Sequence, residues 1–233
     1  MSDGVSTLIL EESRMNHLFR GLTVLTLVLS LDAARAADGP PVTPFEGDGV
    51  VADVLELFPC AVKIDKKIDR ARVQATLKEV AARALVTKEG VYAFLETPEN
   101  RRLLKDVKPG TAVSVKGRLL VSGSLLHIDS LARAKGDPGI DLARYEDEEG
   151  KEVTLRGANK CQCGLNVAEL PHSCTLGHLH HLEANDGKIY HYLQYGDGKA
   201  AFLGNGTHFK NIEVKARMFP GQFLMVEEGK LLP

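Results

Sequence analysis

The sequence predicts an all-β protein with short helices, arranged as two small five-stranded units in tandem. Three observations carry that expectation. In 233 residues there are 22 Gly, 10 Pro and no Trp, a composition that suits short strands and turns better than long helices. One order of strand, long connection, hairpin, short helix and hairpin is written in residues 49–134 and again in 151–228. The two copies share anchors: Gly90-Val91-Tyr92-Ala93-Phe94-Leu95 answers Gly187-Lys188-Ile189-Tyr190-His191-Tyr192-Leu193 with one residue inserted, and Val115-Lys116-Gly117-Arg118 answers Val214-Lys215-Ala216-Arg217.

Residues 1–36 read as a signal peptide. Arg14, His17 and Arg20 precede the apolar run GLTVLTLVLSL (21–31), and Ala34-Arg35-Ala36 supplies the small residues of a cleavage site after Ala36. The run is about eleven residues, short of the roughly 20 that cross a bilayer, so no membrane span is expected after cleavage. Fourteen mixed residues precede Met15, which makes Met15 the candidate true start. The chain is thus expected to be exported, to the periplasm or extracellular space of a bacterium. The remaining 197 residues carry 26 basic against 27 acidic side chains, which leaves no electrostatic footprint for nucleic acid.

Next comes a Pro/Gly-rich leader, 37–48, then a first strand in GVVADVLELF (49–58). Residues 64–82 are highly charged and fit neither period, so a long connection is expected there. ARALVTKEG (82–90) and GVYAFLE (90–96) form a hairpin turning at Glu89-Gly90, and PENRRLLKD (98–106) a short helix with Pro near its start. After the turn Lys108-Pro109-Gly110, TAVSVKGRLLV (111–121) and SLLHIDSLARA (124–134) make the second hairpin. The linker, 135–150, holds Asp137-Pro138-Gly139 and an acidic run. The second unit (151–233) repeats the plan in KEVTLRGANKC (151–161), HLHHLEANDG (178–187), KIYHYLQYG (188–196) and IEVKARMFPGQFLMVEE (212–228).

Five strands with a short helix between the third and fourth is the order of an OB-type barrel. The VxVxGR pattern of Val113, Val115, Gly117 and Arg118 in the fourth strand resembles that of small exported bacterial OB-fold-like modules. The resemblance covers residues 47–134 well and 151–228 more loosely. It implies a fold and a compartment and carries no activity, since many such modules have no known role.

Chemistry concentrates in CQCGLNVAELPHSCTLGHLHH (161–181), which holds three of the four cysteines and four of the eight histidines. Aligning the units on the hairpin glycine sets His178 opposite Ala81, His180 opposite Arg83, His181 opposite Ala84 and His191 opposite Ala93. The second unit therefore places imidazoles where the first builds the same strands without them. On a strand His178 and His180 share a face and His181 points away, while His191 joins either face depending on register. Cys161, Cys163, Cys174, His178, His180 and His191 form the candidate metal set, a thiolate and imidazole mixture suited to zinc or copper. The spacing is not the usual Cys-x₂-Cys. In an oxidising compartment Cys60, Cys161, Cys163 and Cys174 are equally disulfide candidates, with Cys60 near the repeat position of Cys161.

Tyr190, Tyr192 and Tyr195 offer either a stacking face or barrel packing. Catalytic constellations are absent apart from Cys174 beside His172 or His178. The sequence therefore points first to an exported transition-metal-binding protein, for sensing, storage or delivery, more a binder than an enzyme, with a periplasmic protein as a further candidate partner. The alternative is a non-catalytic module with disulfide-paired cysteines that recognises a protein or glycan.

Overall fold

A computed structural model describes residues 42–64, 83–95, 97–120, 123, 125–161, 180–193, 202–203 and 205–233. The signal segment and Cys163, His172, Cys174, His178 and Tyr195 lie outside the described residues. Ten strands close into two barrels of five. The first contains β1 (Thr43–Asp53), β2 (Arg83–Val86), β3 (Val91–Phe94), β4 (Ala112–Leu120) and β5 (Leu125–Arg133), in the order 1-2-3-5-4. The second contains β6 (Lys151–Cys161), β7 (His180–Ala184), β8 (Ile189–Tyr192), β9 (Asn211–Phe219) and β10 (Phe223–Leu231), in the same order. Within each barrel the third and fifth strands run parallel and every other pair is antiparallel. This is the OB-type order expected from the sequence.

Register makes the duplication concrete. Ala84 pairs with Ala93 in the first barrel, and His181 pairs with His191 in the second. Each fifth strand carries a bulge at the same place, opposite Lys116/Gly117 and Lys215/Ala216. The extra residue is an acid both times, and each meets the arginine of the fourth strand: Arg118 to Asp129 at 3.1 Å and Arg217 to Glu227 at 3.2 Å. Bulges bend a strand and sharpen its twist, which a five-stranded sheet needs in order to close.

The first strand differs from expectation at both ends. It begins at Thr43, inside the segment read as a leader, because residues 43–50 pair with β4 and Glu46 reaches Lys116 at 2.8 Å. It ends at Asp53, whose carboxylate accepts the amides of Leu55 (3.0 Å) and Glu56 (3.4 Å). That N-cap turns the apolar run into helix α1 (Val54–Leu57), followed by α2 (Pro59–Ile64).

Helix α3 (Pro98–Leu104) follows β3, capped by the Thr97 hydroxyl, which accepts the Asn100 amide at 3.1 Å. Asn100 is buried under the barrel. Its Nδ2 donates to the carbonyls of Leu95 (2.7 Å) and Leu126 (3.1 Å), and its Oδ1 accepts the Ile128 amide at 2.9 Å. In the second barrel Asn159, at the position of Val51, donates to the Leu203 carbonyl and the Thr207 hydroxyl, both at 2.7 Å.

Strand alternation sorts the core into interiors and an outer cluster. Val51, Leu85, Phe94, Val113, Val115, Leu126 and Ile128 fill the first barrel. Leu182, Tyr190, Tyr192, Ile212, Val214 and Leu224 belong to the second. Tyr190 and Tyr192 are therefore barrel packing and not an open stacking face. The third cluster joins outward-facing residues of both barrels, with the Phe58 ring 5.2 Å from Phe219, 6.2 Å from Phe223 and 5.7 Å from the linker's Tyr145. Both barrels fall in one compact unit, Pro40–Pro233.

Candidate functional site: a buried histidine pair on the second barrel

Cross-strand partners project to the same side of a sheet. On the second barrel the pairs Lys160↔His181, His181↔His191, His191↔Phe223 and Phe223↔Phe219 compose one row around the outside. The same row of the first barrel reads Ala52, Ala84, Ala93, Leu125 and Leu120, all buried in the shared cluster. Small apolar residues in the first copy thus become a lysine and two histidines in the second.

Both imidazoles are buried: His181 is 1% exposed and His191 8%. Among the described residues neither ring nitrogen of His181 has a hydrogen-bond partner, nor does Nε2 of His191. The His191 ring lies 5.4 Å from that of Phe223, an apolar wall. Burial drives the pKa of His181 down to about 3, helped by the positive charge that His191, His180 and Lys160 place nearby. Burial alone takes His191 to about 4. Both rings are neutral at physiological pH, the form that coordinates metals. On the same face Lys160 Nζ is held by Glu183 Oε2 at 2.7 Å, with side chains 27% and 43% exposed.

The neighbouring His180 belongs to the opposite side. It pairs with Cys161 across β6 and β7, and its ring meets His208 edge-on at 5.0 Å, while His208 stacks on Phe209 at 4.3 Å. The first barrel has Arg83 at this position, donating to the carbonyls of Leu104 and Val107 at 2.9 Å each. Phe209 is exposed and adopts φ 56°, where its first-barrel equivalent Gly110 has φ 83°. A phenylalanine bears a steric cost in that region that glycine avoids.

The ligand set expected from sequence is therefore divided. His180 and Cys161 project to one side of the sheet and His191 to the other, so a single ion between His180 and His191 does not fit this register. His191 joins His181 instead, which the expected set left out. The turn decides it: Ala184 N donates to Lys188 O at 2.9 Å, and counting back from that closure pairs 181 with 191, a register that residue spacing alone leaves open. Cys161 is disulfide-bonded, and a disulfide sulfur supplies no thiolate. Cys60 is free, its thiol donating to the Glu146 carbonyl at 3.3 Å. The register puts Asp53, not Cys60, at the repeat position of Cys161. Among the described residues no group of three or more His, Cys, Asp or Glu side chains is arranged to hold a metal. No helix among them is long and apolar enough to cross a membrane. No protein-family model, curated protein or solved structure matches this chain.

Proposed function

We propose that this is an exported protein whose second barrel binds a transition-metal ion, zinc or copper, for sensing, storage or delivery, with His181 and His191 as its central ligands. One observation carries the reading: two cross-strand imidazoles are buried with three ring nitrogens unpartnered among the described residues. A buried polar atom without a partner is costly and asks for one. The first barrel supplies the comparison, since the same strands close there around Ala84 and Ala93. The fold has no need of histidine at these positions, whereas a metal needs neutral imidazole. Cys161 takes one cysteine as its disulfide partner and Cys60 is free, so one of Cys163 and Cys174, together with His178, remains a ligand candidate on sequence grounds.

The test is zinc and copper binding to the metal-depleted protein, beside His181→Ala/His191→Ala, which copies the first barrel's pair. One equivalent bound by the wild type and lost in the variant is the expected result. Equal binding by both proteins would remove the histidine pair from the site. A second reading, a non-catalytic module that binds a protein or glycan, is favoured by the disulfide at Cys161 and by the exposed Phe209 in a left-handed conformation.

A further inference from the structure

We propose that this chain self-associates, the exposed Phe209 ring of one copy entering a cleft on the first barrel of a second copy, with Lys210 beside the ring answering the acidic residues that line the cleft. The inference stands apart from the metal reading and uses neither histidine of the buried pair.

The two barrels answer each other at this point in the fold. Gly110 N donates to the Val51 carbonyl and Phe209 N to the Asn159 carbonyl, both at 2.8 Å, which makes the two positions equivalent. On the first barrel Gly110 lines a half-open cleft of about 280 Å³, with Leu57, Pro109 and Leu142 as its apolar lining. On the second barrel the same position projects a ring. Phe209 is 60% exposed, although one face of its ring stacks on His208 at 4.3 Å and 17°. It holds φ 56°, at a steric cost that Gly110, at φ 83°, does not bear. A strained residue kept at the surface points to a functional constraint, and a ring already fixed by stacking loses little freedom on binding.

Ring and cleft match in size and in charge. An apolar cavity of about 150 Å³ is enough for benzene, so the cleft has room for a phenyl ring. Asp53, Glu56 and Glu146 also line it, and no lysine or arginine does so among the described residues. The Asp53 carboxylate is engaged by the amides of α1, whereas Glu56 and Glu146 are exposed and form no ion pair among the described residues. Lys210 is likewise exposed and without an ion pair among them. An apolar ring beside a free cation is thus complementary to an apolar cleft beside free carboxylates. Ring and cleft lie on different barrels, so each copy can give one and receive the other, a heterologous contact.

The experiment follows sedimentation velocity over a concentration series, with folding checked by far-UV circular dichroism. Wild type is compared with Phe209→Gly, which copies the first barrel and removes the strain, with Lys210→Glu, and with Lys210→Glu/Glu56→Lys/Glu146→Lys. Expected are concentration-dependent association of the wild type, a loss of about tenfold or more in Phe209→Gly, weakening in Lys210→Glu and recovery when the charges are exchanged. Wild-type association in folded Phe209→Gly, or no recovery in the folded exchange variant, would overturn the proposal. A wild type that stays monomeric at its highest soluble concentration would overturn it as well and leave Phe209 to a different protein or a glycan.

Discussion

Lowering the pH should destabilise the metal-free protein through His181 and His191 far more than through ordinary surface histidines. In the folded state their pKa values are about 3 and about 4, against 6.5 for an unperturbed imidazole. The unfolded chain therefore takes up protons first as pH falls, and stability is full above pH 6.5 and lost towards pH 4. Between pH 7.5 and 5 each ring costs about 2 kcal/mol, about 4 kcal/mol for the pair. Over that window the size is set by the unfolded pKa, since both folded values lie below 5. The assay is equilibrium urea unfolding by far-UV circular dichroism with a chelator present. Wild type is compared with His181→Ala/His191→Ala at both pH values. Contributions from other titrating groups cancel in the difference of differences, so the variant should lose about 4 kcal/mol less than the wild type. Parallel stability curves for the two proteins would refute the assignment of both rings as buried and neutral.

Asn100→Ala should cost about 2 kcal/mol, because it takes the Oδ1 acceptor from the buried Ile128 amide and leaves the Leu95 and Leu126 carbonyls with one backbone amide each, and a loss under about 1 kcal/mol would remove Asn100 as the closure of the first barrel. Gly157→Ala would drive a methyl group into the Glu183 carbonyl and the Ala184 backbone, with an expected loss of about 3 kcal/mol, while Gly136→Ala, with open space around it, should change stability by about 0.5 kcal/mol or less. Thiol titration of unreduced, denatured protein should find two of the four cysteines reactive, as one disulfide at Cys161 and a free Cys60 require. Four reactive thiols would eliminate the disulfide.

The strand order was legible because turn signals and anchors repeat at matched spacing, and those features survive duplication. The beginning of β1 was not, since residues 43–48 alternate poorly and are held by pairing with β4 over a largely polar stretch. Val54–Leu57 reads as strand by hydrophobicity, and one local hydrogen-bonding side chain, Asp53, overrides that preference. At the site, residue types were readable and sides were not. Alternation separates His180 from His181, but only the hairpin register decides which of them His191 joins.

The cluster around Phe58 has a consequence for synthesis. The first barrel leaves the ribosome before β8, β9 and β10 exist, and Ala84, Val86, Val91, Ala93 and Phe58 then lack the cover that Ile189, Leu193, Phe219 and Phe223 later provide. A half-made chain therefore presents an apolar patch with aromatic residues, the kind of surface that chaperones and aggregates recognise. Ile140, Leu142 and Tyr145 of the linker pack on this cluster, Tyr145 edge-on to Phe58, and are the first side chains after the first barrel able to shield it. The two barrels are separate as sheets and joined as a folding problem, and a chain truncated in the linker inherits the exposed half.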